Sequence, residues 1–460
     1  MASAAADTTK VNLIYNPEYK RSGLKSYVAL LNKYNIRPTK PGPYFAQNVV
    51  QTQGKFGANM MVGGKTRVKH RLMKRPGYGR GGRHKPHRPH GPHHGPDPEP
   101  SGIPVPAEDQ QYDTEYLSPV TIGTPGKTFN LDFDTGSADL WLWSTELDKS
   151  ISTAGHHVFD PAASSTFKKT DGSTWLIQYG DGSTASGSVG TDIVKIGSLT
   201  VENQTIELAQ QLSPFLVQNV ADGLLGLSFG NRNTVSPPPV KTPVENMIDQ
   251  RDIPKDMELF TAYLGSWRDV NDTDKGASFY TFGYLDKGAL AGQTPYYTPV
   301  DNSQGLWQFA STTAMVGDRP IDRTDNTAVA DTGSTLALID DALCDAIYAA
   351  IPGGRYAEEI QGYIFPSNTT VDQLPDVSFA VGDQLFAVQK EDLGFADAGL
   401  GMTYGGIQSR GSLSFDILGD TWLKGVYAVS DLCFFHFFLL RLQWISMIHA
   451  KGNAQEEGGY

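Results

Sequence analysis

Short runs in which apolar and polar residues alternate follow one another along residues 109–431 and predict a chain built mostly of β-strands. In "FNLDFD", residues 129–134, every second side chain is apolar. Gly, Pro and Asp interrupt such runs every few residues, as they do between the strands of all-β domains. Helical periodicity is confined to three short segments, 24–33, 243–250 and 340–351. The pattern therefore predicts an all-β fold with few helices.

One strand pattern occurs twice. The segment "FNLDFDTGSADLWLW", residues 129–143, has a shorter echo in "NTAVADTGSTLALID", residues 326–340, and both contain Asp-Thr-Gly-Ser. Each copy is followed at a similar distance by two apolar residues and a glycine, Gly226 and Gly419. This duplication predicts two lobes related by pseudo-twofold symmetry, with Asp134 and Asp331 at equivalent points.

Two carboxyl groups brought together by such symmetry have a specific chemistry. They cannot both ionise at close range, so they share a proton over an acidic range. One then acts as a base toward water while the other acts as an acid toward a carbonyl oxygen. A single Asp-Thr-Gly is also an ordinary surface turn, but two copies with matching flanks favour a catalytic pair, Asp134 and Asp331.

The other residues of the two turns are suited to support this pair. Glycine permits close backbone approach, threonine can hydrogen-bond across the symmetry axis, and serine can donate to the outer carboxylate oxygens. The residues predicted to do so are Thr135, Gly136, Ser137, Thr332, Gly333 and Ser334.

Charge divides the chain unevenly. Residues 1–100 contain 18 Lys and Arg against 4 Asp and Glu, whereas residues 101–460 contain 20 against 46. A basic arm on an acidic body either binds nucleic acid or folds back on the body. No nucleic-acid-binding motif accompanies the arm, so folding back is favoured and no nucleic-acid partner is predicted.

The composition suggests five segments. Residues 1–75 form a basic propiece-like segment, 76–108 a Gly/Pro/His-rich linker, 109–300 and 301–431 the two lobes, and 432–460 an atypical tail. The linker holds five histidines, which are either metal ligands or solvated groups. We favour solvated groups and predict no metal site. The linker histidines are His84, His87, His90, His93 and His94.

The motifs together resemble the pepsin-like aspartic endopeptidases, and within them the fungal penicillopepsin and aspergillopepsin group. The resemblance covers about residues 112–431 and rests on "EYLSPVTIGTPGKTFNLDFDTGSADLW", "QYGDGSTASGSVGTD", "ADGLLGLSFG", "AVADTGST" and "FDILGDTWLKGVYAV". It implies an all-β bilobal fold with a cleft between the lobes. It also implies a monomeric enzyme without a cofactor that hydrolyses protein or peptide substrates at acidic pH.

The resemblance assigns further residues to substrate binding. Tyr179 matches the tyrosine of a hairpin flap that closes over the substrate, and Trp141 matches the tryptophan that supports it by a hydrogen bond. Asp181, followed by Ser183, matches a place where an acidic flap residue admits lysine before the scissile bond. The remaining residues matched to flap or pocket positions are Asp132, Gly136, Gly180, Gly333 and Thr335.

The first hundred residues resemble the basic propiece of a zymogen of this family, in which a lysine lies at the aspartate pair. "YVALLNKYNIRPTKPGPYF" offers Lys33 or Lys40, and the sequence does not decide between them. Residues 1–10 lack the apolar core of a signal peptide, although the resemblance implies a secreted or vacuolar protein. The glycosylation candidates are Asn203, Asn271 and Asn368.

Two departures from the family give further expectations. Cys344 takes the place of one half of a lobe disulfide, but the expected partner region contains Ser367, so we predict no bridge. Residues 432–460 are too polar and too short for a membrane span and differ from the final strand of the relatives. We interpret them as a gene-model artefact, and otherwise predict that the closing strand of the sheet between the lobes is missing.

Two alternatives to an endopeptidase stay open. A catalytically silent binding or inhibitor protein on the same fold usually lacks an aspartate or the flap tyrosine, and both are kept here. A nucleic-acid-binding protein would use the basic arm and bind with strong salt dependence.

Overall fold

The structure is a computed structural model that describes residues 9–12, 22–42, 44–48, 70–74, 116–178, 184–217, 220–266, 278–433 and 436–441. Its first elements are strand β1 (Thr9–Asn12), helix α1 (Gly23–Lys33), and strands β2 (Tyr44–Asn48) and β3 (His70–Lys74), of which β2 and β3 pair with each other. Ser22 caps α1 by accepting a hydrogen bond from the Lys25 backbone N–H, which satisfies one of the free amides at the helix start.

The N-terminal lobe is built on one large mixed sheet, in which most neighbouring strands are antiparallel. Its elements, with those that lead to the second lobe, are β4 (Leu117–Ile122), β5 (Lys127–Asp134), β6 (Leu140–Leu142), β7 (Lys168–Gln178), β8 (Thr184–Ile196), β9 (Leu199–Leu212), α2 (Pro214–Val217), β10 (Gly223–Gly226), α3 (Pro243–Gln250), β11 (Leu259–Tyr263), β12 (Phe279–Phe282), α4 (Lys287–Leu290) and β13 (Tyr296–Pro299). The described strands of the sheet have the order β4-β5-β10-β6-β9-β8-β7.

The C-terminal lobe is divided among smaller sheets. Its elements are β14 (Gln308–Ala310), β15 (Thr313–Val316), β16 (Arg319–Asp322), β17 (Thr327–Ala330), β18 (Ala337–Ile339), α5 (Asp341–Ala349), β19 (Arg355–Ala357), β20 (Gly362–Pro366), β21 (Val377–Val381), β22 (Gln384–Ala387), β23 (Gly394–Gly399), β24 (Met402–Gly405), β25 (Ile407–Ser409), β26 (Asp416–Leu418), α6 (Asp420–Leu423), β27 (Val426–Asp431) and β28 (His436–Arg441). The described strands form sheets of order β14-β17-β26-β18-β25, β16-β15-β21-β22 and β19-β20-β24-β23.

The duplicated sequence pattern is present as a duplicated strand arrangement. In the first lobe β10 pairs in parallel with β5 and antiparallel with β6, and in the second β26 pairs in parallel with β17 and antiparallel with β18. Gly226 lies opposite Asp134, and Asp331 donates its backbone N–H to the Leu418 carbonyl at 3.1 Å. The predicted all-β bilobal fold is confirmed.

A sheet of order β1-β12-β11-β27-β28-β13 joins the two lobes and the N-terminal arm. Strand β28 pairs with all of β27 and, on its other side, with β13. Phe437 and Leu439 are each 1% exposed, because alternate side chains of this strand enter the core. The expectation that the sheet lacks its closing strand is therefore wrong. The apolar run after Cys433 supplies that strand, while residues 442–460 lie outside the described residues.

Helix α1 packs its apolar face into the core of the C-terminal lobe. Tyr27, Leu30 and Leu31, at helical spacing, are each at most 3% exposed. They belong to one cluster of buried residues with side chains of β17, β18 and β26. The arm is therefore part of the folded core. Further members of this cluster are Ile36, Leu338, Ile364, Phe395, Tyr404 and Ile417.

The three predicted helical segments are confirmed as α1, α3 and α5, within two residues at every boundary.

Cys344 and Cys433 are free thiols, as expected from the absence of a partner for Cys344. Across the described ranges, no helix has the length and apolar character needed to cross a bilayer.

Candidate active site

The two Asp-Thr-Gly turns meet where β5 and β17 end. The side chains of Asp134 and Asp331 are 2% and 0% exposed. Thr135 donates its N–H to Thr332 Oγ1 at 3.1 Å, and Thr332 donates its N–H to Thr135 Oγ1 at 2.9 Å. The Thr135 hydroxyl also donates to the Ala330 carbonyl at 2.9 Å, and the Thr332 hydroxyl donates to the Phe133 carbonyl at 2.6 Å, each across the lobe boundary. These reciprocal bonds lock the two turns together.

Glycine is required in both turns by the closeness of the opposite carboxyl group. A Cβ at Gly136 would lie 2.6 Å from Asp331 Oδ1, and a Cβ at Gly333 would lie 2.4 Å from Asp134 Oδ1. The glycine N–H groups donate to the carboxyl two residues before them, at 2.8 Å for Asp134 and 3.1 Å for Asp331. The turns therefore present the two carboxyls to each other across the lobe boundary.

Lys33, at the end of α1, lies directly on this pair. Its Nζ donates to Asp134 Oδ1 at 2.9 Å and to Asp331 Oδ2 at 2.9 Å and Oδ1 at 3.2 Å. A fourth contact, 2.9 Å long, goes to the Gly333 carbonyl. A single ammonium thus bridges both carboxyl groups and occupies the space between them.

Tyr34, which the sequence analysis did not single out, completes this contact. Its hydroxyl donates to Asp331 Oδ2 at 2.5 Å. Its ring meets Phe415 edge to face, with centroids 6.5 Å apart and an interplanar angle of 82°. The arm therefore covers the pair with two consecutive side chains.

The surroundings shift the pKa values of the two aspartates in opposite directions. Burial raises the pKa of Asp134, and burial together with Asp331 outweighs the lowering of this pKa by Lys33 and by a 2.6 Å hydrogen bond from Ser137. Burial acts in the same direction on Asp331, but Lys33 and hydrogen bonds from Asp134, Ser334 and Tyr34 lower its pKa to about 2. The pair is therefore asymmetric while the arm is bound: Asp134 takes up a proton more readily than Asp331.

Comparison with known proteins agrees with this geometry. A sequence model described as eukaryotic aspartyl protease matches residues 115–433. The chain belongs to the eukaryotic aspartyl protease family. It is 43% identical over 346 residues to a protein of Aspergillus fumigatus named an aspergillopepsin A-like aspartic endopeptidase, covering 73% of this chain and 76% of that one.

Two further relatives of this aspartyl protease are fungal enzymes, one of which has the name aspergillopepsin expected from the sequence motifs. Aspergillopepsin-1 of Aspergillus oryzae is 41% identical over 69% of this chain and 76% of its own. Endothiapepsin of Cryphonectria parasitica is 39% identical over 69% of this chain and 72% of its own. The resemblance to fungal pepsin-like endopeptidases is confirmed.

The second lysine candidate of the protease's arm lies elsewhere. Lys40 Nζ donates to both carboxylate oxygens of Asp345, on α5, at 2.8 and 2.9 Å. The sequence could not separate the two lysines, because their distance from the aspartates depends on where α1 ends and how it packs.

The flap residues Tyr179, Gly180, Asp181 and Ser183 lie outside the described residues, as does Asn271. Their expected functions stay predictions.

Three other predicted positions of the protease can be located. Trp141 is 5% exposed, and its Nε1 has no hydrogen-bond partner within the described part of the chain. Asp132, partly buried on β5, is two residues before Asp134. The Thr335 carbonyl accepts bonds from the N–H and hydroxyl of Thr421 at 3.0 and 3.1 Å, which connects this turn to α6.

Two glycosylation candidates are accessible. Asn203 and Asn368 are both exposed, and their modification stays a prediction.

Within the described ranges no group of three or more His, Cys, Asp or Glu side chains is arranged to hold a metal ion. That the enzyme needs no metal or cofactor also stays a prediction.

Tyr280 is a residue near the pair that the sequence did not indicate. It is fully buried on β12, and its hydroxyl donates to the Phe133 carbonyl at 3.2 Å. Burial raises its pKa, with smaller increases from Asp132, Asp420 and Asp134. A tyrosine within an apolar strand looks like any other core residue in the sequence, so nothing there indicated that Tyr280 lies near the aspartate pair.

Proposed function

We propose that this chain is an aspartic endopeptidase that is made as a zymogen and hydrolyses peptide bonds in protein or peptide substrates at acidic pH, as a monomer. One observation carries the proposal: two buried carboxyls from equivalent turns lie together, and one ammonium of the arm contacts both. The expected secreted or vacuolar location is a prediction from the family.

The proposed reaction uses the proton that the pair shares. Once Lys33 and Tyr34 leave, a water molecule binds between the carboxyls of Asp134 and Asp331. The ionised carboxylate removes a proton from this water while the water oxygen attacks the peptide carbonyl carbon. The protonated carboxyl gives its proton to the carbonyl oxygen. The carboxyl that took the proton from water then gives it to the nitrogen as the C–N bond of the tetrahedral diol breaks. A diol hydroxyl gives its proton to the other carboxylate, and the pair is again singly protonated.

Residues 1–75 are proposed as the inhibitory propiece, joined to the protease by the linker 76–108, which lies outside the described residues. Lys33 is the inhibitory lysine of this proposal, because its Nζ contacts both aspartates whereas that of Lys40 contacts Asp345. In this state no water can occupy the space between the carboxyls.

Substrate binding is proposed for the flap and the two turns. Tyr179 is the flap tyrosine of this proposal, and the indole N–H of Trp141, without a partner in the described part of the chain, is suited to bond its hydroxyl. Asp181 provides an acidic group for a lysine before the scissile bond. Gly333 and Thr335 hold the substrate from the second lobe.

The test is hydrolysis of a denatured protein such as haemoglobin by the acid-treated full chain. We expect activity between about pH 3 and 5, where one proton is on the pair. A statine-type peptide should inhibit the enzyme, whereas a metal chelator should have no effect. Asp134→Asn and Asp331→Asn should each reduce the rate by at least about a thousandfold, because an amide can neither share the proton nor activate water.

Asp372→Asn, which makes the same change at an exposed position, is the matched control and should keep full activity. Hydrolysis at the wild-type rate by either active-site variant would contradict the mechanism. A processed wild-type chain that binds the statine peptide but cleaves nothing would indicate a silent binding protein. Salt-dependent binding of DNA or RNA by the full chain, lost when the basic residues of the arm are neutralised, would indicate the nucleic-acid alternative.

A further inference from the structure

Lys40 lies in an acidic and aromatic pocket of the C-terminal lobe. Its Nζ donates to Asp345 Oδ1 at 2.8 Å and Oδ2 at 2.9 Å. The same nitrogen is 5.7 Å from the ring centroid of Tyr356 and 5.4 Å from that of Tyr363. A carboxylate flanked by two aromatic rings binds an alkylammonium group through a charge-assisted hydrogen bond and two cation–π contacts.

The pocket is held in place by contacts within the lobe itself. Tyr363 is 1% exposed, stacks on Tyr348 at 4.8 Å between centroids, and donates its hydroxyl to Asp345 Oδ1 at 2.7 Å. Tyr356 lies opposite Tyr363 in the β19–β20 pairing, with the two rings 5.1 Å apart and nearly perpendicular. These contacts lie within the lobe, so Asp345, Tyr363 and the ring pairing of Tyr356 are retained when the arm leaves, while the Tyr356 hydroxyl loses its hydrogen bond to the Pro41 carbonyl.

The surface around the pocket also accommodates a peptide backbone. Arg37 donates its N–H to Ser412 Oγ at 2.9 Å, and Ser412 donates its N–H to the Arg37 carbonyl at 2.9 Å. Farther along, the Tyr356 hydroxyl donates to the Pro41 carbonyl at 2.8 Å. Hydrogen bonds to the main chain before and after Lys40 therefore direct its side chain to Asp345, and such bonds are independent of the peptide's sequence.

We propose that Asp345, Tyr356 and Tyr363 form a lysine-binding pocket that holds Lys40 in the full chain and accepts a lysyl side chain of another peptide once residues 22–42 have left. The second part rests on the proposed function, since it needs the arm to be released. Asp345 remains 57% exposed beside Lys40, and exposed ion pairs contribute little affinity. The pocket therefore adds a preference for a lysyl side chain among peptides that the protease already binds through other contacts.

The first experiment needs no catalysis. Hydrogen exchange of residues 35–42 is followed by mass spectrometry in the full chain at neutral pH for wild type, Asp345→Asn and Asp372→Asn. We expect about three- to tenfold faster exchange in Asp345→Asn and wild-type exchange in Asp372→Asn, an exposed change of equal charge. Equal exchange rates of residues 35–42 in the two variants would show that Asp345 does not hold Lys40 and would overturn the proposal.

The second experiment uses enzyme processed from the full chain and a synthetic peptide of residues 32–42, NKYNIRPTKPG, as an inhibitor. Replacing Lys40 by Met in the peptide should weaken inhibition of the wild-type enzyme by about three- to tenfold. The same replacement should have no effect on Asp345→Asn enzyme, whose hydrolysis of a lysine-free substrate should be unchanged. An equal loss on both enzymes would show that Lys40 acts elsewhere and would overturn the proposal.

The two experiments separate this inference from the proposed function. A protein that never processes itself contradicts the function, while hydrogen exchange still decides whether Asp345 holds Lys40. A protein that processes itself normally but shows no dependence on Asp345 in either experiment retains the function and contradicts the pocket.

Discussion

At the scale of single residues, the aspartate pair was predictable because the information is local and occurs twice. Asp134 and Asp331 each lie in a four-residue turn with its own strand before it, and the symmetry of the two copies requires them to meet. Tyr34 had no such signal. Its partner Asp331 is 297 residues away in the chain, so its contact depends on the docking of α1.

The contribution of Tyr34 can be tested separately from that of Lys33. Tyr34→Phe removes one hydrogen bond to an ionised carboxylate, which is worth about 1.5–3 kcal/mol. We expect the uncleaved variant to bind a fluorescent statine inhibitor at least about tenfold more tightly than the uncleaved wild type, because the arm covers the pair less firmly. Lys33→Met should have a larger effect, since the ammonium contacts both carboxyls.

Lys168→Met, at an exposed position of β7, is the matched control and should bind the inhibitor like the wild type. If the uncleaved Tyr34→Phe chain binds no better than this control, the hydroxyl contact does not contribute to covering the pair.

At the scale of elements, periodicity predicted the three longer helices, since each has an apolar face and a clear start. Strand β28 was not predicted, because residues 432–460 differ from the final strand of the relatives although "HFFLLR" is itself a strand-forming segment. Its four consecutive apolar residues, between His436 and Arg441, suit a strand that lies between β27 and β13. The four-residue helices α2, α4 and α6 are too short to show periodicity.

Strand β28 can be tested through Phe437, which is 1% exposed and stacks on Phe309 with centroids 5.2 Å apart. Phe437→Ala should reduce the free energy of unfolding by about 3–5 kcal/mol, because it removes a large buried side chain and leaves a cavity. Chemical denaturation of the full chain measures this value. Leu176→Ala, at a 50% exposed position, is the control, and an equally small effect of both changes would contradict the placement of β28.

Helix α1 makes a different prediction, because it should stabilise one form of the protein and not the other. Leu31→Ala, at a 1% exposed position, should destabilise the full chain by about 2–5 kcal/mol. The processed enzyme, which lacks this residue, should have the thermal midpoint of the wild-type processed enzyme. Val28→Ala, on the partly exposed face of the helix, should cost less. An unchanged midpoint of the Leu31→Ala full chain would show that the helix does not belong to the core.

At the scale of the whole molecule, charge should couple the arm to pH. Lys33 acts to lower the pKa values of both aspartates, so binding of the arm is favoured when they are ionised and weakens as pH falls. Asp134, whose pKa is raised, takes up its proton first. The contribution of Asp331 to binding of the arm is present above about pH 4 and is lost as pH falls toward about 2. The acidic body begins to lose negative charge at higher pH, as pH falls toward about 4, whereas Lys and Arg keep their charge.

We therefore expect acid-triggered removal of the arm. The full chain is incubated at a series of pH values while its size and activity are followed. Cleavage between about Lys74 and Asp109 should become faster as pH falls toward about 4, and activity should appear only afterwards. Asp134→Asn should not process itself. Variants without the linker histidines should still process, because histidine gains its charge near pH 6.5 and thereby strengthens attraction to the acidic body. Full activity of uncut protein at pH 4 would contradict this account.

The position of α1 inside the core has a consequence for the history of each molecule. Tyr27, Leu30 and Leu31 pack against side chains of the C-terminal lobe, so the chain folds with partners that the processed enzyme no longer has. Under the proposed function, cleavage removes these partners after the chain has folded. We therefore expect the lifetime of the processed enzyme to be set by its rate of unfolding instead of by an equilibrium. A processed molecule that unfolds lacks the segment with which it folded, and we expect each enzyme molecule to fold once.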